Sequence, residues 1–238
     1  MAFVPSYKSR LFVGPLAWSA YVRSVNESND SAMLDTTTIN DTDSTFIYGM
    51  NSGAITLDML LDGSGAAGSQ FAMLNTWKGA AQVVTVGFEG ADRGSPVWLA
   101  SAPQSNFTVN SAVADVVSVS GAYMTDGLVG YGVVIDPLTA ITADTNGTSV
   151  DNGAATSNGG VGHLHVTAFS GFTSNSVILE HSTDNSAWST LATFTSVTGT
   201  TSERITVAAA TTVNRYLRIR DDVTGTGSTT RIVSFARN

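Results

Sequence analysis

Apolar and polar residues alternate along Gly53-Ala54-Ile55-Thr56-Leu57-Asp58-Met59, the period-two pattern of a strand with one buried face. In that register Ile55, Leu57 and Met59 turn to the core, while Thr56 and Asp58 turn the other way. Residues 82–88, 114–119 and 127–135 predict further strands, the last with glycines that permit a bulge or close packing. One segment changes period. Phe71, Leu74 and Trp77 recur three apart, after Ser69 as a cap and before Gly79 as a terminator, so a helix is predicted over 69–77. Later in the chain, residues 161–169, 176–181, 189–194, 204–207, 215–220 and 230–236 have β character, separated by turn-rich stretches at 182–186 and 224–228. Short strands at regular spacing predict a β-sandwich. The weakly patterned stretch 139–147 reads as a linker and divides the chain into blocks 1–144 and 145–238.

Composition strengthens the all-β expectation. Charged residues are only 13% of the 238, and Gly, Ser, Thr, Ala and Val take their place, a mix poor in helix formers. With no cysteine, disulfides, thiolate metal sites and a cysteine nucleophile are excluded. No stretch is apolar for long enough to span a membrane as a helix, and the first residues lack the apolar run of a signal sequence, so folding in a cytoplasm is expected. The net charge of −8 is uneven: through Asp144 there are 5 Lys/Arg and 13 Asp/Glu, and from Thr145 onward 6 of each. An acidic block does not hold nucleic acid, whose affinity for proteins comes from Lys and Arg.

Candidate chemistry is sparse. Gly63-Ser64-Gly65-Ala66-Ala67-Gly68 matches G-x-G-x-x-G between a predicted strand and helix, with Glu89 beyond it. Asp58 interrupts the preceding strand, Asp62 would crowd a pyrophosphate and no further βαβ units follow, so a strand-to-helix loop is the simpler reading. His163 and His165 lie on one face of a strand, and a zinc site would need His181, beside Glu180, to converge on them. Polar strand residues packed in a sandwich account for them more simply. Asp35, Asp41 and Asp43 lack the EF-hand glycine and bidentate glutamate, which leaves turn formation. Trp188 is expected in the sandwich core rather than as a sugar platform. No nucleophile elbow with a Ser-His-Asp order is present, so no enzyme, cofactor or metal is expected.

Two segments carry a resemblance. Leu34-Asp35-Thr36-Thr37-Thr38, Asp41-Thr42-Asp43, Thr45-Phe46-Ile47-Tyr48-Gly49-Met50 and the alternating strand from Gly53 to Asp62, followed by the Ala-, Phe- and Leu-containing helix, resemble the opening of siphophage major tail tube proteins. Gly159-Gly160-Val161-Gly162-His163-Leu164-His165-Val166, Glu180-His181-Ser182-Thr183-Asp184-Asn185-Ser186-Ala187-Trp188, Leu191, Phe194, Arg204-Ile205-Thr206-Val207 and Asn214-Arg215-Tyr216-Leu217-Arg218 look like the accessory β domain fused to phage tail proteins. The resemblance implies a tail-tube β-sandwich with one flanking helix (1–144) plus a C-terminal β-sandwich (145–238). It also implies a virion protein, assembled in the host cytoplasm, that polymerises as stacked homohexameric rings. The implied partners are further copies of itself, tape measure, tail tip and tail terminator proteins, and viral DNA passing through the lumen without specific binding. Thr56 and Asp58 are the candidate lumen-facing residues. The alternative is a tail-associated surface- or carbohydrate-binding β module, with a hydrolase a distant third.

Overall fold

The structure, a computed structural model, describes residues 5–62, 77, 79–113, 115–127 and 129–238. Among these the chain is all-β. After a 3-10 turn (Ser6–Lys8) come β1 (Arg10–Val13), β2 (Leu16–Ala17), β3 (Val22–Asp35), β4 (Phe46–Leu60), β5 (Ala81–Gly87), β6 (Pro96–Asn110) and β7 (Ser118–Met124). Then come β8 (Gly130–Ile141), β9 (Thr145–Asn146), β10 (Val150–Asp151), β11 (Gly160–Ser182), β12 (Ser189–Thr193), β13 (Thr201–Val207) and β14 (Tyr216–Arg237). The predicted helix at 69–77 and the Gly63–Gly68 loop lie outside the described residues, apart from Trp77, which is buried.

The chain forms two compact units, and they do not part at residue 144. Unit 1 comprises Met1–Ala20, Gln82–Ser101 and Gly130–Asn238; unit 2 comprises Tyr21–Ala81 and Ala102–Val129. The stretch read as a linker is instead the end of β8, laddered to β14 through Thr139↔Arg231, Ala140↔Thr230 and Ile141↔Thr229, followed by β9. Local composition gave no sign of this, because a strand end rich in Thr and Ala is as weakly patterned as a loop.

Unit 1 is organised by two long partners. β11 and β14 pair antiparallel from Gly160↔Arg237 to Ser182↔Tyr216, with register shifts near Thr167, Gly171 and Thr173. The sequence suggested two short strands in place of each. The shifts bend the pair, and Gly171 sits at the corner with φ +78, where a Cβ would lie 2.6 Å from the Thr226 carbonyl oxygen. The two halves then contribute Leu164, Val166, Val233 and Phe235, and Val177, Leu179, Leu217 and Ile219, to one apolar core. The opposite side of the first half is covered as well: Val161, Ile232 and Ala236 pack with Phe12, Val97, Leu99 and Val134. A fragment 145–238 would lack Phe12, Thr85, Val97, Leu99 and β8. We therefore expect residues 145–238 alone to bind a hydrophobic dye and to aggregate. A soluble, cooperatively unfolding fragment would show that the cover is dispensable.

Unit 2 contains an antiparallel sheet in the order β3-β4-β7-β6. The alternation expected along β4 is present: Ile55, Leu57 and Met59 are buried, and Thr56 and Asp58 are exposed. Val119 and Tyr123 of β7 are buried beside them. A one-residue slip would expose all three β4 side chains, at about 1.5–3 kcal/mol each, and this holds the register.

Candidate functional site

Register across the unit 2 sheet assembles its open face from four separated segments. One row runs Ser24, Asp58, Ser120, Thr108; the next runs Asn26, Thr56, Ala122, Asn106. The only charge in these rows is Asp58, whose Oδ2 accepts a 3.0 Å hydrogen bond from the Ser24 hydroxyl. Hydroxyls and amides stay solvated there without offering a cation to a polyanion. The rest of the unit is acidic too: it holds 2 Lys/Arg against 9 Asp/Glu, so nearly all of the net −8 belongs to unit 2.

Two further features accompany that face. Among the described residues no strand ladder covers the outer edge of β3, nor that of residues 106–110 in β6. The far halves of β3 and β4 also run on past β7, which pairs β4 only from Ala54 to Leu60. That two-stranded arm carries Met33, Leu34, Phe46, Ile47, Tyr48 and Met50, all exposed, and Ile39 stands fully exposed near its tip. A two-stranded ribbon is marginal alone in water, and exposed apolar side chains on both of its faces mark it as a contact element. The sequence offered a signal for the arm, paired apolar residues on either side of an Asp- and Thr-rich loop, but β3 itself lacks the alternation that announces a strand. At the tip, Asp35 accepts from the Thr37 amide (2.8 Å), and Asp41 from the Thr38 amide (2.6 Å) and hydroxyl (3.0 Å). The Thr37 side chain and amide hold the Asp35 carboxyl, and the Thr38 amide and hydroxyl the Asp41 carboxyl, below the usual range, and the aspartates close the turn.

The histidines of unit 1 lie elsewhere and form a closed relay. His165 Nδ1 must donate to the Gly14 carbonyl (2.7 Å), so its Nε2 accepts from Thr85 Oγ1 (2.8 Å). With its proton thus used, Thr85 Oγ1 accepts from His163 Nδ1 (3.0 Å), and His163 Nε2 accepts from Arg204 (2.8 Å). Every bond is satisfied with both imidazoles neutral. Both rings are fully buried, and burial pushes both below their ordinary value, His165 to about 4 and His163 well down, the latter helped by the nearby Arg204 cation. His181 does not join them; its Nδ1 accepts from the Asn214 amide.

A second buried cluster pins the bend of β14. Arg231, 0% exposed, bonds Asp221 through Nε (3.0 Å) and Nη2, and Asp136 through Nη1 (2.7 Å). Arg93 adds a second cation on Asp136, and Asn175 donates to Asp221 (3.0 Å). Two arginines thus balance two carboxylates. Trp188 is outside the core, contrary to expectation. It is half-buried, with the Arg218 guanidinium 4.3 Å over its ring, while Arg218 and Arg220 both donate to Glu180.

No protein-family profile matches the chain, and no curated protein matches it. Solved structures do. A chain of the virion of a native gene transfer agent particle is 14% identical, with 51% of this chain and 94% of that chain covered and a TM-score of 0.41. The tail of an empty particle of that kind, with C6 symmetry, gives 12% identity, coverage of 47% and 81%, and 0.38. The Dit protein of SPP1, described as a hub adsorption apparatus of phages infecting Gram-positive hosts, gives 11% identity, coverage of 96% and 98%, and 0.39. At these scores the likeness is distant, and a functional reading rests on the chain's own surfaces.

Proposed function

We propose that this chain is a structural virion tail protein, not an enzyme, whose copies join through the unit 2 sheet into hexameric rings that stack as a tail tube for DNA. One observation carries the reading: a four-stranded antiparallel sheet whose central strands β4 and β7 bury one face, whose other face is polar and free of cations in its rows, and whose edges are open on both sides among the described residues. Open edges are templates for pairing with other strands, and residues 106–110 of β6 carry neither charge nor proline to block it. β3 and β6 are different edges of the same sheet, so their pairing is heterologous and closes into a ring when the rotation allows. Six such sheets give a barrel about 45–50 Å across at the backbone, from a strand spacing of about 4.8 Å and a tilt near 40°. Thr56 and Asp58 then line the channel, and the exposed arm packs between rings. Tape measure, tail tip and tail terminator proteins are the partners such a tube would meet.

Negative-stain microscopy of the purified protein tests the assembly. Sixfold rings or tubes are expected, and a strictly monomeric species at high concentration would overturn the reading. For the channel, Asp58→Lys should fold normally, because the side chain is exposed, yet convert the rows from a repelling to a phosphate-holding surface, six cations to a ring. Assembled wild-type tubes should not retain duplex DNA in about 50 mM salt, whereas the Lys variant should retain it and release it as salt rises. Equal retention by both would place Asp58 away from the channel.

A further inference from the structure

We infer that neighbouring copies pair β3 against β6 with a stagger of four or six residues toward the arm, so that β6 of one copy lies along the base of the next copy's arm. This seam presupposes the ring proposed above. Inside one copy the rows cross the sheet in register, since Asn26, Thr56, Ala122 and Asn106 stand opposite one another, as do Ser24, Asp58, Ser120 and Thr108. A closed barrel needs its strands tilted by about 35–45°, and tilt requires a cumulative shift along the strands. For four strands about 4.8 Å apart, with about 3.3 Å per residue, the shift is about four to six residues per copy. The rows within a copy supply none of it, so the seam must supply all of it. An odd shift would put buried-side residues in line with channel-side ones, which leaves four or six.

The lengths of the two edges choose the direction. Joined without stagger, residues 106–110 of one copy would face residues 22–26 of the next, leaving residues 27–35 of β3 with a bare edge. A shift away from the arm shortens even that overlap. A shift toward the arm keeps the overlap complete, because β3 continues for 14 residues to Asp35, and it covers part of the otherwise two-stranded ribbon. At a stagger of four, Ser28 faces Thr108 of the neighbour and Asn26 faces Asn110; at six, Asp30 faces Thr108. All of these positions are exposed or half-buried in the single copy. The seam is antiparallel, like the ladders within the copy, because four alternating strands return the chain to its starting direction.

The absence of cysteine makes the test clean. Three double variants are oxidised after assembly and run on non-reducing gels: S28C/T108C, D30C/T108C and S24C/T108C. A ladder of linked species up to six copies is expected from the first or the second, and only monomer from the third. A ladder confined to S24C/T108C means an unstaggered seam and overturns the stagger while leaving the ring intact. Rings visible by microscopy with no ladder from any variant mean that β3 and β6 do not meet at a stagger of zero, four or six, which overturns it too. If no rings form even from the wild type, the ring itself fails and the seam with it.

Discussion

Arg231→Met is expected to destabilise unit 1 by about 3–5 kcal/mol, the cost of leaving buried carboxylates without their cation. Asp221 is fully buried and Asp136 nearly so. Arg93 can still serve Asp136, but Asp221 keeps only the Asn175 amide. With typical domain stabilities of about 5–15 kcal/mol, that loss brings the unit close to unfolding at ambient temperature. The double variant R231M/D221N should recover a large part of it, because neither a buried cation nor its main counter-charge remains. The non-additivity measures the coupling. Denaturant unfolding followed by tryptophan fluorescence is a suitable readout, since Trp18, Trp98 and Trp188 belong to unit 1 and only Trp77 to unit 2. A loss below about 1 kcal/mol for the single variant, far under the cost of a broken buried pair, would mean that the pairing is not what holds the β14 bend.

The second large effect is on pH. Both relay histidines have folded pKa values depressed below their unfolded value of about 6.5. A depressed base stays neutral in the native state while the unfolded chain takes up its proton, so stability is complete above about pH 6.5 and falls as pH drops. For His165 the window runs from about 6.5 to about 4, and at about 1.4 kcal/mol per pH unit it amounts to about 3 kcal/mol. His163, also depressed by burial, adds a loss of the same sign. Protonation also breaks the relay: a charged His165 can no longer accept from Thr85, and a charged His163 opposes Arg204. The expected result is a steep loss of unit 1 stability between about pH 6.5 and about pH 4.5. H163Q/H165Q should start less stable at neutral pH and show a flatter profile over that window. A wild type equally stable at both ends of the window would remove the relay as the cause. The hydrogen bonds that lower Asp151 and Asp184 fade only at more acidic pH, Asp151 at about 2, so they do not blur this window.

The arm gives a third, smaller test of assembly. Replacing residues 31–50 with a short glycine turn should leave unit 2 folded, because its core comes from the other end of β4 and from β7, and should reduce tubes to separate rings. Tubes of normal length would show that the apolar arm does not join the rings.

The sequence alone determined what depends on neighbours along the chain. Alternation from Ile55 to Met59 settles which side chains of β4 are buried, because side chains of a strand point to opposite faces whatever the strand pairs with. The shortage of charged residues and the wealth of β-branched ones settled the all-β class, and Asp35 and Asp41 behave as turn formers for reasons local to their own loop. Tertiary structure decided everything that depends on pairing. No pattern around Thr85 announces that it sits between His163 and His165, nor does any feature of Asp136 name Arg231 as its partner. The apparent turn at 224–228 is the continuing corner of one long strand, since glycines serve a bend in a paired ladder as readily as a loop. The same limit explains the division of the chain, where a charge balance changing near residue 145 suggested a boundary that the β8–β14 ladder crosses. The open polar face depends most on pairing of all: Ser24, Thr56, Ser120 and Thr108 are ordinary polar residues in four stretches of chain, and only the register of four strands places them side by side.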